Sequence, residues 1–256
     1  MPDAFLAKLL PQVRTIAREA GQIVLRYYLD GIPSELKADG SPVTTADHAA
    51  EGVIMPALHH LTPDIPVISE ENHAAGLSAA VKSDFWLVDP LDGTRSFVDK
   101  TDEFTVNIGL VRGGVPVLGV IYAPVSGEMF AAAGPGTAMQ CVKGRDKPIF
   151  ARRPPAEGLT VVASRRHVDE GRLTQFLAGQ TVARELRSSS AYKFCLLASG
   201  QADLYPRFGP TSEWDTAAGH AILTAAGGSV LTPEGTPLSY AKPDFRNGDF
   251  IAYGLR

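Results

Sequence analysis

The sequence predicts a mixed α/β protein in two parts, and three observations carry that expectation. Apolar residues recur at helical spacing from Leu6 to Tyr27. Short strands with tight turns run from Phe104 to Ala133, the pattern of an antiparallel meander. Beyond a Pro-rich, polar stretch at 152–158, strands and helices alternate, which marks an α/β unit. The stretch divides an N-terminal α+β domain, residues 1–153, from a C-terminal α/β domain, residues 154–256.

In the first helix Leu6, Leu9, Leu10, Val13, Ile16, Ala17, Ala20, Ile23, Val24 and Tyr27 take one face, and Lys8, Arg14, Arg18 and Arg26 the other. Pro11 lies near its start, where a helix either accommodates proline or breaks. A polar, turn-rich loop from Lys37 leads to a second helix starting near Thr45 and running through Ala49, Val53, Ile54 and Leu58. Thr44 or Thr45 can cap it with Asp47 in its first turn, and capping alone would account for Asp47. Ile65 to Ser69 reads as a short strand ending in Glu70-Glu71. Phe85 to Val88 reads as a buried strand running into Asp89-Pro90-Leu91-Asp92-Gly93-Thr94. After the meander come strands at Leu159 to Ala163, Val182 to Leu186 and Ala202 to Tyr205. Helices are expected at Asp169 to Leu177, Tyr192 to Ser199 and Asp215 to Ala226, the last stopped by Gly227-Gly228.

The stretch from Asp89 to Thr94 is the chemical centre of this reading. Pro90 fixes its own φ and extends Asp89, so the chain bends at the strand's end, and Gly93 permits a tight geometry there. The bend can turn both carboxylates, and a carbonyl between them, toward one point. Glu70, Asp47 and Asp215 are further acids able to join them. Two bare carboxylates about 4 Å apart repel by roughly 4 kcal/mol at an effective dielectric near 20. Such a cluster therefore calls for a cation, and all-oxygen ligation favours Mg²⁺ or Mn²⁺ over zinc. A second set, Ser164 to His167, Ser190, Lys193 and Arg207, offers anion contacts in the C-terminal half. Ser190 and Lys193 are expected on one face of a helix's first turn. Each acid and each cation also has an ordinary surface or capping role, and their convergence is what the sequence leaves open.

The 256 residues carry a formal charge of −4, are 45% hydrophobic and have no basic or acidic tail. That excludes counterion-driven binding of nucleic-acid polymers but not a small anion held by a few cations. Cys141 and Cys195 form neither a zinc pattern nor a disulfide framework and suit a reducing compartment. Without a signal-peptide pattern or a long apolar run, a cytoplasmic protein with no transmembrane segment is expected.

Trp86 to Thr94, with Glu70-Glu71 upstream and Trp214-Asp215-Thr216-Ala217-Ala218-Gly219 downstream, resembles the inositol monophosphatase superfamily over nearly the whole chain. The resemblance implies a layered αβαβα sandwich and a Mg²⁺-dependent, lithium-sensitive phosphomonoesterase with two or three ions, Mn²⁺ substituting. The 37–44 loop, Glu103 to Ile108, Ser164 to His167 and Lys193 to Pro210 are most similar to the bacterial 3′(2′),5′-bisphosphate nucleotidases. Arg95-Ser96 departs from the Lys-Glu pair usual there. By motif, Glu70, Asp89, the Leu91 carbonyl, Asp92 and Asp215 are implied metal ligands. Glu70, Thr94 and Asp47 are implied to act on the attacking water. Gly93, Thr94, His167, Ser190, Lys193, Arg207 and Asp215 are implied to contact a small phosphorylated nucleotide. Phosphatases of the same superfamily acting on inositol 1-phosphate or fructose 1,6-bisphosphate are the near alternatives, and a non-catalytic nucleotide or metal sensor the distant one. Peripheral association with the cytoplasmic face of the inner membrane stays open.

Overall fold

A computed structural model describes residues 3–31, 34–36, 42–77, 80–81, 83–166 and 168–256. The first helix, α1 (Ala4–Asp30), is capped by the Asp3 carboxylate, which accepts from the Phe5 and Leu6 N–H groups, and it continues through Pro11. A small ribbon of β1 (Ser34–Leu36) and β2 (Pro42–Thr44) precedes α2 (Thr45–Leu61). Then follow β3 (Val67–Ser69), α3 (Glu70–Ala74), β4 (Asp84–Asp92), α4 (Thr94–Val98), β5 (Thr105–Arg112), β6 (Val115–Ala123) and β7 (Glu128–Ala133). The hairpin β8 (Met139–Val142) and β9 (Arg145–Pro148) prolongs the expected meander. Together these strands form one seven-stranded sheet in sequence order, parallel only between β3 and β4.

The second half supplies β10 (Leu159–Ser164), α5 (Glu170–Leu177), β11 (Val182–Ser188), α6 (Tyr192–Ala198), β12 (Leu204–Arg207), β13 (Thr211–Ser212) and α7 (Ala217–Ala225). It ends with β14 (Ser229–Leu231), a 3₁₀ turn at Pro243–Phe245, β15 (Arg246–Asn247) and β16 (Phe250–Tyr253). Five of these strands form a sheet in the order β11-β10-β12-β16-β14, while β13 and β15 pair separately. The late strands β14 to β16 escape the sequence reading because they are too short to show periodicity.

Side-chain alternation along β4 sorts the layers. Trp86 and Val88 join Leu110 and Val120 in a core closed by α1 and α2. Phe85 and Leu87 turn the other way, into a core shared with Phe194 of α6 and Ile222 of α7. The reverse side of the five-stranded sheet is covered by Phe176 and Leu177 of α5, packed on Val161, Leu204 and Ile251. The result is the αβαβα sandwich that the resemblance implies. No helix of the described residues is long and apolar enough to cross a membrane.

The depth at which α7 sits is set by glycines. Gly109 and Gly119 face one another across β5 and β6, and a Cβ on Gly119 would lie 2.2 Å from the Ala218 carbonyl oxygen. Such overlap forces backbone to move. Gly119→Ala is therefore expected to destabilise by about 1–3 kcal/mol, lowering the thermal midpoint by about 2–4 °C per kcal/mol in calorimetry. Gly52→Ala, in open space on α2, should instead stabilise by about 0.5–1 kcal/mol. Equal effects at the two positions would refute the close-packing account.

Buried His220 of α7 reports on the same layer. The Glu213 carbonyl can only accept, so Thr216 donates to it, Tyr240 donates to Thr216, and His220 Nδ1–H donates to the Tyr240 oxygen. Burial lowers the His220 pKa to about 4, aided by the positive charge of Lys242. The unfolded chain thus binds a proton that the folded one refuses between pH 6.5 and about 4, so stability falls as pH falls through that window. The loss amounts to at most about 3 kcal/mol. Urea titrations at pH 7 and pH 4.5 should show a shallower acid loss for His220→Gln; an identical loss would overturn the assignment.

Candidate active site

One irregularity in β4 assembles the acids. Asp89 pairs with Asn107 but Asp92 pairs with Thr105, so three steps on β4 match two on β5. In a regular strand, residues three apart point to opposite faces. The extra residue of the bulge restores Asp92 to the face of Phe85, Leu87 and Asp89, the face turned toward α7. Pro90 suits the interruption, having no N–H to give to the ladder. Neighbouring β3 is in register, with Ile68 opposite Leu87, and delivers Glu70 at the first position of α3.

Carboxylate oxygens of Glu70, Asp89 and Asp215 lie within 4.8 Å of one another. Asp92 stands beside them, close enough to be felt electrostatically by Asp215, as Glu70 is by both. Burial pushes the Asp215 carboxyl up to about 8, and the charges of Asp92 and Glu70 push the same way. Asp92 is also raised by burial, against the pull of Lys193 and the hydrogen bonds from Asn107 and Ala191. The donor set is all oxygen, crowded and largely buried, which suits a hard divalent cation and suits zinc poorly.

Around this cluster the backbone is tightly specified. Asp89 Oδ1 accepts the Leu91 N–H, and the Leu91 carbonyl accepts the Thr94 hydroxyl at 3.0 Å. Gly93 adopts φ +93°, a conformation glycine takes freely, and starts α4 at Thr94. Asp47 caps α2 and also approaches Thr94. Its Oδ2 accepts from the Thr44 N–H and hydroxyl in a capping box on α2, and its Oδ1 lies 3.2 Å from the Thr94 hydroxyl.

Glu70, Asp89, Leu91, Asp92, Gly93, Thr94, Ser190, Lys193, Arg207 and Asp215 all line one cavity of about 790 Å³. Asp47 lies behind Thr94 rather than on the wall, and His167 and the 37–41 loop lie outside the described residues. Two expectations need correction. Asp215 does not open the helix: α7 begins at Ala217, and the Asp215 carboxylate closes the preceding turn by accepting the Ser212 N–H. Ser190 does not share a helical face with Lys193, because its φ of +55° places it before α6. Lys193 itself is buried, donating from Nζ to the carbonyls of Ser190 at 2.5 Å and Ser188 at 3.4 Å; burial lowers its pKa to about 8. Arg207 donates to the Pro210 carbonyl. The sequence reading did not single out Asn107 and the Ala191 N–H, which both donate to Asp92 Oδ2. Nor did it see that Trp214 and Arg246 extend the cavity wall. A backbone donor leaves no mark on a sequence, and Asn107 reads as one more strand residue.

The inositol monophosphatase family model matches residues 6–252. Over 246 residues the chain is 45% identical to the 3′(2′),5′-bisphosphate nucleotidase CysQ of Escherichia coli strain K12 and 47% identical to that of Salmonella typhimurium, each match covering 94% of this chain and 98% of the relative. Among solved structures, CysQ from Bacteroides thetaiotaomicron has a TM-score of 0.79 at 37% identity, covering 94% of this chain and 95% of that one. Inositol monophosphatase from Anabaena has a TM-score of 0.78 at 28% identity, covering 98% and 92%. Matched over nearly its whole length, and holding the oxygen cluster that a metal-dependent family requires, this chain belongs to the inositol monophosphatase family.

Proposed function

We infer that this protein is a 3′(2′),5′-bisphosphate nucleotidase that hydrolyses adenosine 3′,5′-bisphosphate to AMP and inorganic phosphate. The observation that carries the reading is that the acidic cluster opens into the same cavity as Lys193 and Arg207. A volume of about 790 Å³ suits a nucleotide. Relatives with 45–47% identity along nearly the full chain carry that name. Two buried free thiols, Cys141 and Cys195, fit the reducing cytoplasm.

Glu70, Asp89, the Leu91 carbonyl, Asp92 and Asp215 would hold Mg²⁺, with Mn²⁺ as a substitute. Bound there, the cation offsets the negative charge of the phosphoryl oxygens and makes water acidic enough to attack at neutral pH. The protein's own groups orient that attack. Thr94 has one hydroxyl proton, directed at the Asp47 carboxylate or the Leu91 carbonyl, so its oxygen is left to accept a hydrogen from water in the cavity. Glu70, on the same wall, takes the proton that the water gives up. As the new P–O bond forms, the bond from phosphorus to the ribose 3′ oxygen breaks, and that oxygen leaves with a proton from solvent water in the cavity. Lys193 uses two of its three ammonium donors on carbonyls and has one for a substrate oxygen. Arg207 offers its guanidinium to the phosphate that is not cleaved, with Ser190 as a further contact to the nucleotide. Cys195 does not replace water as nucleophile, because its thiol is fully buried and that burial raises its pKa well above normal.

Asp89→Asn should weaken Mg²⁺ binding at least about 100-fold in titration calorimetry and abolish turnover. In chelator the same variant should melt no lower than the parent, because it removes a repulsion of about 3 kcal/mol per carboxylate pair. Retained Mg²⁺ affinity would remove Asp89 from the ligand set. Assayed side by side with Mg²⁺, adenosine 3′,5′-bisphosphate should exceed inositol 1-phosphate and fructose 1,6-bisphosphate by about 100-fold in kcat/KM. Arg207→Ala should raise KM for the bisphosphate by about tenfold and leave inositol 1-phosphate nearly unaffected. A preference for either sugar phosphate would replace the nucleotide reading.

A further inference from the structure

Asp92 is anchored from two sides. Asn107 Nδ2, its neighbour within the seven-stranded sheet, donates to Oδ2 at 3.0 Å. The Ala191 N–H, just ahead of α6, donates to the same oxygen. The direction of this carboxylate therefore depends on where the 188–191 turn is held. That turn contains Ser190 at a φ of +55°, a region that L side chains rarely enter, and groups outside it brace it. Lys193 Nζ donates to the Ser188 and Ser190 carbonyls.

Glu103 braces the turn as well, by contacts at both ends of the gap. Its Oε2 accepts the Ser189 N–H at 2.9 Å. Its backbone carbonyl lies against Gly93, so close that a Cβ there would sit 2.9 Å away. One residue thus touches the chain just after Asp92 and the chain just before Ala191. Arg165 locks Glu103 in place with a two-pronged ion pair, Nε to Oε2 at 3.1 Å and Nη2 to Oε1. The same guanidinium donates to the Arg187 carbonyl, and the Arg165 N–H donates to the Ser188 carbonyl. Burial acts to raise the Glu103 pKa, but the hydrogen bonds from Arg165 and Ser189 outweigh it and hold the carboxyl below its usual range, so it is ionised at neutral pH. Glu103 is not among the residues lining the cavity, which leaves it no direct contact with substrate.

We propose that Glu103, clamped by Arg165, is a positioning residue of this enzyme: it holds the 188–191 turn so that the Ala191 N–H fixes Asp92. The inference rests on the nucleotidase reading for its catalytic consequence, but the positioning itself does not. An exposed ion pair with no such role would contribute little. A group one step removed from a metal ligand typically matters by about 10–100-fold in affinity or activity.

The test uses the full chain and three variants, Glu103→Ala, Glu103→Gln and Arg165→Ala. Amide hydrogen exchange is followed over 188–192 in chelator, Mg²⁺ affinity is measured by calorimetry without substrate, and kcat and KM are measured on adenosine 3′,5′-bisphosphate. In Glu103→Ala, exchange in the turn should quicken by about tenfold and Mg²⁺ bind about tenfold more weakly. In the same variant kcat should fall by about 10–100-fold, with KM moving by less than about threefold. Glu103→Gln, which keeps an acceptor for Ser189 but loses the charge, should recover part of each effect. If Glu103→Ala does not fold, Glu103→Gln and Arg165→Ala carry the same readouts. Parental exchange and parental Mg²⁺ affinity in the folded variants would overturn the proposal. A parent inactive on the bisphosphate would overturn the nucleotidase reading instead, with the exchange and Mg²⁺ measurements still deciding the role of Glu103.

Discussion

Mutual repulsion of buried carboxylates is the constraint around which this molecule is arranged. With oxygens of Glu70, Asp89 and Asp215 within 4.8 Å of one another, each ionised pair costs about 3 kcal/mol even at an effective dielectric near 20. Burial pushes the Asp215 carboxyl up to about 8 and the charges of Asp92 and Glu70 push the same way, so without a cation this acid keeps its proton at neutral pH. A cluster that is unfavourable without a cation is one that binds a cation strongly. The fold therefore has to hold the acids together against their own field before any ion arrives.

It does so with apolar packing on both sides of the cluster. Asp89 and Asp92 continue the face that Phe85 and Leu87 bury in a core shared with Ala217, Ala218, Ile222 and Leu223 of α7, all essentially fully buried. Burial of an Ile or Leu side chain is worth about 1.5–3 kcal/mol, so a few such contacts match the repulsion of one pair. The hydrogen bonds then set direction: Leu91 N–H on Asp89, Asn107 and Ala191 on Asp92, Ser212 N–H on Asp215. Packing supplies proximity, and these donors supply aim.

What the sequence discloses follows from this division. The helices α1 and α2 and the β5–β7 meander are legible because their periodicity is the imprint of long-lived layers. The acids were legible as a motif, since Pro90 and Gly93 announce a break in β4. The reason the break matters was not. A bulge is a pairing between β4 and β5, and no local pattern states which residues of β5 are skipped. Ser190 looks helical because Tyr192 to Ala198 is helical, while its φ is positive and the contacts around it, Glu103 on the Ser189 N–H and Lys193 on the Ser190 carbonyl, are remote in sequence or buried. Asp47 could be read as a cap or as a site residue. In the structure one carboxylate oxygen serves α2 and the other faces Thr94.

Position in the fold also couples chemistry to stability at α7. Asp215 lies two residues before the helix, so its distance from Asp89 is fixed by how deeply α7 seats on β5 and β6. Gly109 and Gly119 permit that depth, with Ala217 and Ala218 brought to backbone contact. A larger residue at either glycine would lift the helix, draw Asp215 out of the cluster and relieve the repulsion there. Losses in packing would then be partly offset by electrostatic relief in the metal-free protein but not in the metal-bound one. Glycine at these positions thus sets how closely the helix that follows Asp215 approaches the sheet.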